Sequence, residues 1–245
     1  MNKPSFVIDC FPECGSKYKK GYAVVAIDVI RATTTAITAV ASGRKCFFAP
    51  SIEKAFSLAE RMGDPLLVGE LGGSMPYGFD LNNSPAEIAQ RADTARPMIL
   101  LSTSGTQLIH NTQECEVSYV ACFRNYQAMI TQLREHHKHI ALLGAGTRGE
   151  FREEDQMCCA WIGDGLMKAS FEPENSRTFE IINQWRNAPV EACTQGRSAE
   201  YLRKSGQIRD LQFIISHLND LNSVFLVNND EIIEIPLSRY DEIES

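Results

Sequence analysis

Segment 28–35 carries the residue types best suited to binding a phosphate group and a divalent cation. It reads Asp-Val-Ile-Arg-Ala-Thr-Thr-Thr and directly follows an apolar run at residues 22–27. A helix that starts here presents free backbone N–H groups to an anion, and Arg31, Thr33 and Thr34 add donors for phosphate oxygens. Asp28, at the tip of the preceding strand, is placed to hold the cation, although an aspartate in this position also caps helices.

Two further acidic positions supply carboxylates for the same cation. Glu70 ends a second apolar run, where a charge is costly unless it meets solvent, a metal or a cation. Glu153, Glu154 and Asp155 open a predicted helix, where the helix dipole also favours negative charge. A solvated strand end and a plain acidic helix start are the alternatives to these two assignments.

Two loops of small and polar residues offer groups that can line the same site. Asp80 and Asn83 belong to a glycine-rich loop that precedes a helix-capping box beginning at Ser84. The second loop resembles an oxyanion cradle, in which a glycine permits close backbone approach and hydroxyls donate. It consists of Thr103, Ser104, Gly105 and Thr106.

Three familiar covalent routes to phosphate hydrolysis do not fit the sequence. A haloacid dehalogenase-type phosphatase has a second aspartate two residues after its nucleophile, where this chain has Ile30. No cysteine is followed six residues later by arginine, and no Arg-His-Gly triplet occurs. The remaining route is in-line attack on a metal-assisted phosphate, with carboxylates as metal ligands and base.

Four instances of one local pattern indicate the elements that position these residues. Each consists of a short apolar run, a cluster of small and polar residues, and a helical pattern. The runs begin at residues 22, 66, 98 and 140. Runs that are apolar on both faces predict an α/β fold with a mostly parallel sheet covered by helices. Because ligands bind at the carboxyl ends of such strands, we expect the four polar clusters to converge.

The C-terminal region adds a different signal. Two β-rich runs at residues 224–227 and 231–235 flank Asn-Asn-Asp, which predicts a C-terminal β-hairpin. No repeat or linker divides the chain. We therefore expect a single α/β domain over residues 1–245, and leave open a small C-terminal subdomain from about residue 170.

Composition excludes several classes of partner. The 245 residues include 24 Lys and Arg against 31 Asp and Glu, with a net charge of −7 and no long basic run, so we expect no nucleic acid and no membrane partner. The first ten residues do not form a signal peptide and no apolar run approaches the roughly 20 residues of a membrane span, so we expect a cytoplasmic protein. A small anionic phosphorylated substrate fits, because local cations or a metal ion override the global charge. A homodimer is left open.

The order and spacing of these motifs resemble the 2-phosphosulfolactate phosphatase (ComB) family. The matching blocks lie at residues 27–35, 69–70, 78–85, 102–106, 145–147 and 154–155, and a weaker likeness continues from Gly196 to Asp210. The resemblance implies an α/β fold, dependence on Mg²⁺, and hydrolysis of 2-phosphosulfolactate to sulfolactate and phosphate, a step of coenzyme M biosynthesis. It suggests functions for ten residues: Asp28, Arg31, Thr33, Thr34, Glu70, Asp80, Asn83, Gly105, Thr106 and Asp155.

The role of each group of residues is assigned by its chemistry. Asp28, Glu70 and Asp155 are the expected Mg²⁺ ligands, Asp155 being favoured over its acidic neighbours by the resemblance. Arg31 acts with them at the phosphate, and a second cation, Arg148, receives the sulfonate. The remaining substrate-binding residues are Thr33, Thr34, Asp80, Asn83, Thr103, Ser104, Gly105 and Thr106.

One departure from the family pattern keeps other functions open. The family usually reads Thr-Thr-Asn-Gly-Thr where residues 102–106 read Ser-Thr-Ser-Gly-Thr, so Ser104 replaces an amide. A serine keeps a donor but shortens its reach. The alternatives are a phosphatase for another small phosphorylated acid and a non-catalytic protein that binds a phosphorylated or sulfonated ligand. The number of metal ions and the formation of a phosphoenzyme are also left open.

Overall fold

The computed structural model describes residues 3–10, 17–146 and 150–237 of the chain. These residues form one ten-stranded sheet with helices on its faces. The strands are β1 (Ser5–Cys10), β2 (Ala23–Ile27), β3 (Cys46–Ala49), β4 (Leu66–Gly69), β5 (Met98–Leu101), β6 (Val117–Ala121), β7 (His139–Gly144), β8 (Glu172–Pro173), β9 (Ser223–Asn228) and β10 (Glu231–Pro236). The helices are α1 (Ala32–Ala41), α2 (Ile52–Met62), α3 (Pro85–Ala89), α4 (Gly105–Asn111), α5 (Tyr126–His136), α6 (Glu153–Lys168), α7 (Ser176–Trp185), α8 (Arg197–Lys204) and α9 (Ile208–Ser216), with a 3₁₀ helix at Val190–Gln195.

Two parallel blocks of strands make up most of the sheet. The strand order is β4-β5-β3-β10-β9-β6-β2-β7-β1-β8. One block contains β4, β5 and β3, and the other contains β6, β2, β7, β1 and β8. The predicted α/β class with a mostly parallel sheet is thus confirmed. The predicted hairpin of β9 and β10 is also confirmed, and it lies in the middle of the sheet.

The hairpin reverses the direction of one block relative to the other. β10 is antiparallel to β3 and β9 is antiparallel to β6, so the blocks run in opposite senses through the sheet. Sheets are twisted, since each strand is rotated relative to its neighbour. Carboxyl ends from both blocks meet at one cleft even though the blocks run in opposite senses.

Strand β2 shows why the apolar runs lack alternation. Val25 and Ile27 pack into the core that also contains α5 and α6, whereas Val24 and Ala26 pack into the core that contains α1. Both faces of this strand are covered, and its five residues are all buried. A strand covered on both faces is apolar throughout.

Helix α1 lies inside the curl of the sheet. Nine of its ten residues are buried, and it contacts β3, β5, β6 and β10. Its sequence, Ala-Thr-Thr-Thr-Ala-Ile-Thr-Ala-Val-Ala, consists mainly of small residues, which permit close approach of the surrounding strands. Because α1 begins four residues after Asp28, its burial fixes the turn that follows β2.

Several elements had no assignment in the sequence analysis. Strand β1 pairs with β7 at one side of the sheet, and helices α7, α8 and α9 pack near the C-terminal part of the chain. Helix α2 is an amphipathic helix whose Ser51 side chain accepts from the Lys54 N–H as a helix cap. It covers the outer face of β3, β4 and β5.

Within the described ranges, no helix combines the length and apolar character needed to cross a membrane.

Because the hairpin lies in the middle of the sheet, its buried residue Ile232 is expected to contribute to the stability of the whole sheet. Ile232 of β10 is 2% exposed, whereas Ile235 on the same strand is 39% exposed. We expect Ile232→Ala to lower the free energy of unfolding by about 2–4 kcal/mol in a single cooperative transition, because the substitution leaves a cavity. Urea denaturation measures this, with Ile235→Ala as the matched control. A separate early transition for the C-terminal region would contradict an integral hairpin.

Candidate active site

A cleft of about 580 Å³ lies where the segments after β2, β4, β5 and β7 meet the first turns of α6 and α8. Seven residues predicted from the sequence line it: Asp28, Arg31, Glu70, Asn83, Thr103, Ser104 and Asp155. Five others are not among its lining residues: Thr33, Thr34, Asp80, Gly105 and Thr106. Arg148 lies outside the described residues. The structure therefore brings the carboxyl ends of all four expected strands to one cleft.

Two buried carboxylates form the floor of the cleft. Asp28 is 7% exposed and Asp155 is 2% exposed. Oδ1 of Asp28 accepts a hydrogen bond from the N–H of Ala32 at 3.2 Å. Oδ1 of Asp155 accepts from the N–H of Val29 at 2.8 Å. One turn of backbone, between β2 and α1, thus holds both acids in place.

Burial and mutual repulsion disfavour the charged forms of these acids. Burial raises the pKa of Asp28 to about 6, and the negative charge of Glu70 adds to the rise. The pKa of Asp155 is raised well above its usual range, first by burial and then by the charges of Asp28 and Glu154. Burial also raises the pKa of Glu154 to about 7 against the opposing effect of the Ser198 hydroxyl. The surroundings of the floor therefore do not compensate negative charge there, and they favour the protonated acids.

Glu70 is held by donors from two loops. Its Oε1 accepts from the N–H of Thr103 at 2.7 Å and from the hydroxyl of Ser102 at 3.2 Å. Its Oε2 accepts from the N–H of Gly73 at 2.7 Å and from the hydroxyl of Thr103 at 2.8 Å. The N–H of Gly72 in turn donates to the Thr103 hydroxyl at 2.7 Å. This carboxylate therefore positions the glycine turn and the loop after β5.

Thr33 and Thr34 lie behind the cleft wall. Thr33 is fully buried and Thr34 is 1% exposed. Oγ1 of Thr33 lies 2.8 Å from the carbonyl oxygens of both Asp28 and Ala121 and accepts from the N–H of Asp28. The hydroxyl of Thr34 donates to the carbonyl of Val29 at 2.7 Å. These hydroxyls tie the turn to α1 and to β6, and direct contact with a ligand stays a prediction.

Gly105 and Thr106 support the floor from the loop after β5. The Thr106 hydroxyl is fully buried and donates to the carbonyl of Ser102 at 2.8 Å. A Cβ placed on Gly105 would lie 2.3 Å from Oδ2 of Asp28 and 2.5 Å from the Cβ of Ala32. The predicted close approach at this glycine is therefore made by a carboxylate of the protein itself.

Arg31 is the most buried cation of the cleft lining. Its Nη1 donates to Oδ2 of Asp210 at 2.7 Å and also contacts Oε1 of Gln207, and its Nη2 donates to Oδ1 of Asn82 at 3.3 Å. Oδ1 of Asp210 accepts from the Ser84 hydroxyl at 2.6 Å. Asp210 is thus a site residue that the sequence analysis placed only in a weak stretch of family likeness. Its sequence neighbourhood, at the start of α9, gives no signal of a partner 179 positions away.

Asp80 does not face the cleft. Its Oδ2 accepts from the N–H of Leu67 at 2.8 Å and from Nη2 of Arg96 at 3.2 Å. Asp80 is exposed, and these hydrogen bonds hold the glycine-rich loop along β4. Asn83, from the same loop, is buried and lines the cleft, and its Oδ1 has no hydrogen-bond partner among the described residues. The loop thus turns one of the two predicted residues inward and the other outward.

Two arginines and a tyrosine of the cleft were missed by sequence reasoning. Arg152, just before α6, and Arg197, the first residue of α8, both line the cleft and both bind Glu150. The Tyr201 hydroxyl of α8 donates to the carbonyl of Gly73, which links α8 to the glycine turn. Each belongs to an ordinary charged or amphipathic stretch of sequence. The packing of α8 across the cleft brings Arg197 and Tyr201 to the same cleft as Arg152.

The floor fits a divalent cation in its donor chemistry. Asp28 and Asp155 are oxygen donors whose burial and mutual repulsion a hard cation would relieve. Mg²⁺ in proteins is commonly held by one or two carboxylates, with waters and substrate phosphate completing its coordination. Among the described residues, no group of three His, Cys, Asp or Glu side chains is placed to hold a metal ion, so Asp28, Glu70 and Asp155 do not form such a trio. Magnesium stays a prediction, with two candidate ligands on the floor.

Comparison with known proteins assigns the chain to a family. The family model described as 2-phosphosulpholactate phosphatase matches residues 11–230. The chain belongs to this family. The likeness found in the sequence motifs is thereby confirmed, and the matched span includes the weaker stretch with α8 and Asp210.

Curated relatives show the same likeness over most of the chain. A probable 2-phosphosulfolactate phosphatase of Clostridium perfringens (strain SM101) is 29% identical over 224 residues, covering 89% of this chain and 90% of that protein. One of Carboxydothermus hydrogenoformans is 32% identical over 195 residues, covering 78% of this chain and 80% of that protein. One of Pseudothermotoga lettingae is 38% identical over 144 residues, covering 58% of this chain and 61% of that protein.

The raised pKa of Asp28 predicts that its charge destabilises the metal-free protein. A pKa of about 6 lies roughly two units above that of an unfolded aspartate, which corresponds to about 3 kcal/mol. The folded state therefore holds more protons between about pH 4 and pH 6, and stability falls as the pH rises through this window. We expect Asp28→Asn to raise the free energy of unfolding by about 2–3 kcal/mol at pH 7 and to weaken this fall.

Denaturant unfolding in EDTA at pH 4.5 and pH 7.5 tests this expectation. Asp64→Asn, at a side chain that is 90% exposed, is the control and should leave stability unchanged. A loss of stability in Asp28→Asn at pH 7.5 would show that the charge is compensated in the folded protein.

Removing the charge of Asp210 is expected to destabilise the protein, in contrast to removing the charge of Asp28. Both side chains are almost fully buried, at 4% and 3% exposure. Asp210→Asn leaves a buried guanidinium without its counter-charge, and we expect a loss of about 3–5 kcal/mol of unfolding free energy. Glu200→Gln, which breaks an exposed ion pair with Lys204 on α8, should cause no measurable change. Equal stability of both variants would show that Asp210 does not anchor Arg31.

Proposed function

We propose that this protein is a Mg²⁺-dependent phosphatase that hydrolyses 2-phosphosulfolactate to sulfolactate and phosphate. The observation that carries the proposal is the pair of buried, mutually repelling carboxylates, Asp28 and Asp155, at the floor of a cleft lined by three arginines. Family membership supports the choice of substrate. In the reaction the phosphorus–oxygen ester bond breaks, water supplies the new phosphate oxygen, and the alcohol oxygen of sulfolactate takes a proton.

Asp28 and Asp155 are the residues that would hold Mg²⁺. When bound, the ion supplies positive charge to the phosphate oxygens and lowers the pKa of a coordinated water. We assign Asp28 to this role instead of to nucleophilic attack, because Oδ1 already accepts from Ala32 and Oδ2 lies against Gly105. Both oxygens are thereby restricted in the approach that a nucleophile must make to phosphorus.

The surrounding residues orient the phosphate. Arg31 lines the cleft beside the floor, and Asp210 holds its guanidinium in one orientation. Asn83 presents an amide on the same side, and Thr103 and Ser104 face the cleft from the loop after β5. We propose that Arg31 and Asn83 bind phosphate oxygens and that Glu70 acts by positioning the Thr103 loop. This role for Glu70 follows from its four hydrogen bonds.

Phosphate release by the purified protein tests the proposal. With Mg²⁺ present we expect turnover of 2-phosphosulfolactate, its abolition by EDTA, and its recovery on adding Mg²⁺. Asp28→Asn should reduce kcat by at least about 100-fold, since preorganised charge at a reacting phosphate contributes on that order. Asp64→Asn is the matched control and should keep full activity.

Three other outcomes would redirect the assignment. Turnover that persists in EDTA would contradict the metal role of the floor carboxylates. Hydrolysis of other small phosphorylated acids in preference to 2-phosphosulfolactate would change the substrate. Binding of sulfolactate or phosphate without hydrolysis of any ester in a panel would favour the non-catalytic protein.

A further inference from the structure

Positive charge is distributed unevenly in the cleft. Arg31 is neutralised by the buried carboxylate of Asp210, and the floor consists of acidic side chains. Arg152 and Arg197 both line the cleft and share a single counter-charge, Glu150. Among the described lining residues, the excess of positive charge therefore lies with this pair of arginines.

The contacts of Glu150 show how the two guanidinium groups are arranged. Its Oε2 accepts from Nη1 of Arg152 at 3.1 Å, and its Oε1 accepts from Nη1 of Arg197. One two-oxygen acid thus reaches both arginines at once, which places the two groups within reach of a single oxyanion. Each guanidinium has five N–H donors, and contacts within the described residues use one of them in each case.

The two arginines also differ in depth. The Arg152 side chain is 18% exposed, and its charge lowers the pKa of Asp155, so it lies electrostatically close to the floor. The Arg197 side chain is 69% exposed and lies at the start of α8. A ligand that places one anionic group at the floor can therefore extend a second toward Arg152 and Arg197.

We propose that Arg152 and Arg197 form a subsite for a second strongly acidic group of the substrate, and that this subsite selects phosphate esters carrying a sulfonate. The proposal rests on the proposed phosphatase function and deepens it. Arginine suits this role, because its planar fork makes paired, charge-assisted hydrogen bonds to oxyanions. Glu150 occupies the two guanidinium groups between turnovers and weakens the subsite by its negative charge.

A comparison of two substrates isolates the subsite. The probes are 2-phosphosulfolactate and 2-phospholactate, which differ only in the sulfonate. We expect the unmodified protein to prefer the sulfonate by at least about ten-fold in kcat/KM, the size of one hydrogen bond to a charged group. Arg152→Gln and Arg197→Gln should each reduce this preference by about 10- to 100-fold, mainly through KM for 2-phosphosulfolactate. Glu150→Gln should leave the preference intact or increase it.

Arg203→Gln provides the matched control, since Arg203 is exposed on the same helix and does not line the cleft. Turnover of both probes with equal kcat/KM, or equal losses for both probes in the arginine variants, would overturn the subsite while leaving the phosphatase function intact. Absence of turnover with either probe would contradict the phosphatase function instead. Calorimetric binding of sulfolactate against lactate then tests the subsite, and equal affinity for the two would overturn it.

Discussion

The electrostatic cost of holding Asp28 beside Asp155 in a buried position sets the requirements for the rest of the structure. Burial raises the pKa of both carboxylates, and the charge of Glu70 adds to the rise at Asp28 as the charge of Asp28 does at Asp155, so the two acids would separate if their supports were flexible. Both instead accept hydrogen bonds from N–H groups of one turn, at Ala32 and at Val29. That turn cannot relax independently, because it joins a strand covered on both faces to a helix buried on all sides. The fold thus keeps in place a charge arrangement that its own residues oppose.

Helix α1 and the hairpin provide this rigidity together. The hairpin inserts between the two parallel blocks and reverses one of them, and the resulting curl encloses α1. Small side chains let the strands approach the helix, and the Thr33 and Thr34 hydroxyls join the turn to neighbouring carbonyl groups. Loops that follow strands of both blocks then line one cleft. Its precision depends on a long-range arrangement, since strands β9 and β10, from the C-terminal part of the chain, lie between β3 and β6 in the sheet.

The sequence predicts the parts of the site that directly follow a strand, because there the local apolar pattern and the functional residues are adjacent. The runs that became β2, β4, β5 and β7 were apolar on both faces, and the polar residues after them reach one cleft. The order of the blocks could not be predicted in the same way, because pairing of the hairpin with β3 and β6 depends on contacts across the whole chain. Asp210 illustrates this limit, since its partner Arg31 lies in a different part of the sequence. Thr33, Thr34 and Thr106 illustrate another: a hydroxyl suited to a phosphate is equally suited to a backbone carbonyl, and only burial distinguishes the two.

The separation of charge within the cleft gives the proposed metal and the proposed subsite a common physical basis. The acidic Asp28–Asp155 floor offers no attraction to an ester with several negative charges, whereas Arg152 and Arg197 attract it. Without a cation at the floor, such an ester would bind with its phosphate near the arginines, where no carboxylate pair is available to act on it. A divalent cation would offset the charge of the ionised floor carboxylates and would attract the phosphate to the floor, which would leave the arginines for the second acid group. The proposed metal would then determine the orientation of the substrate as well as the charge at phosphorus, and the arginines would contribute selectivity once that orientation is set.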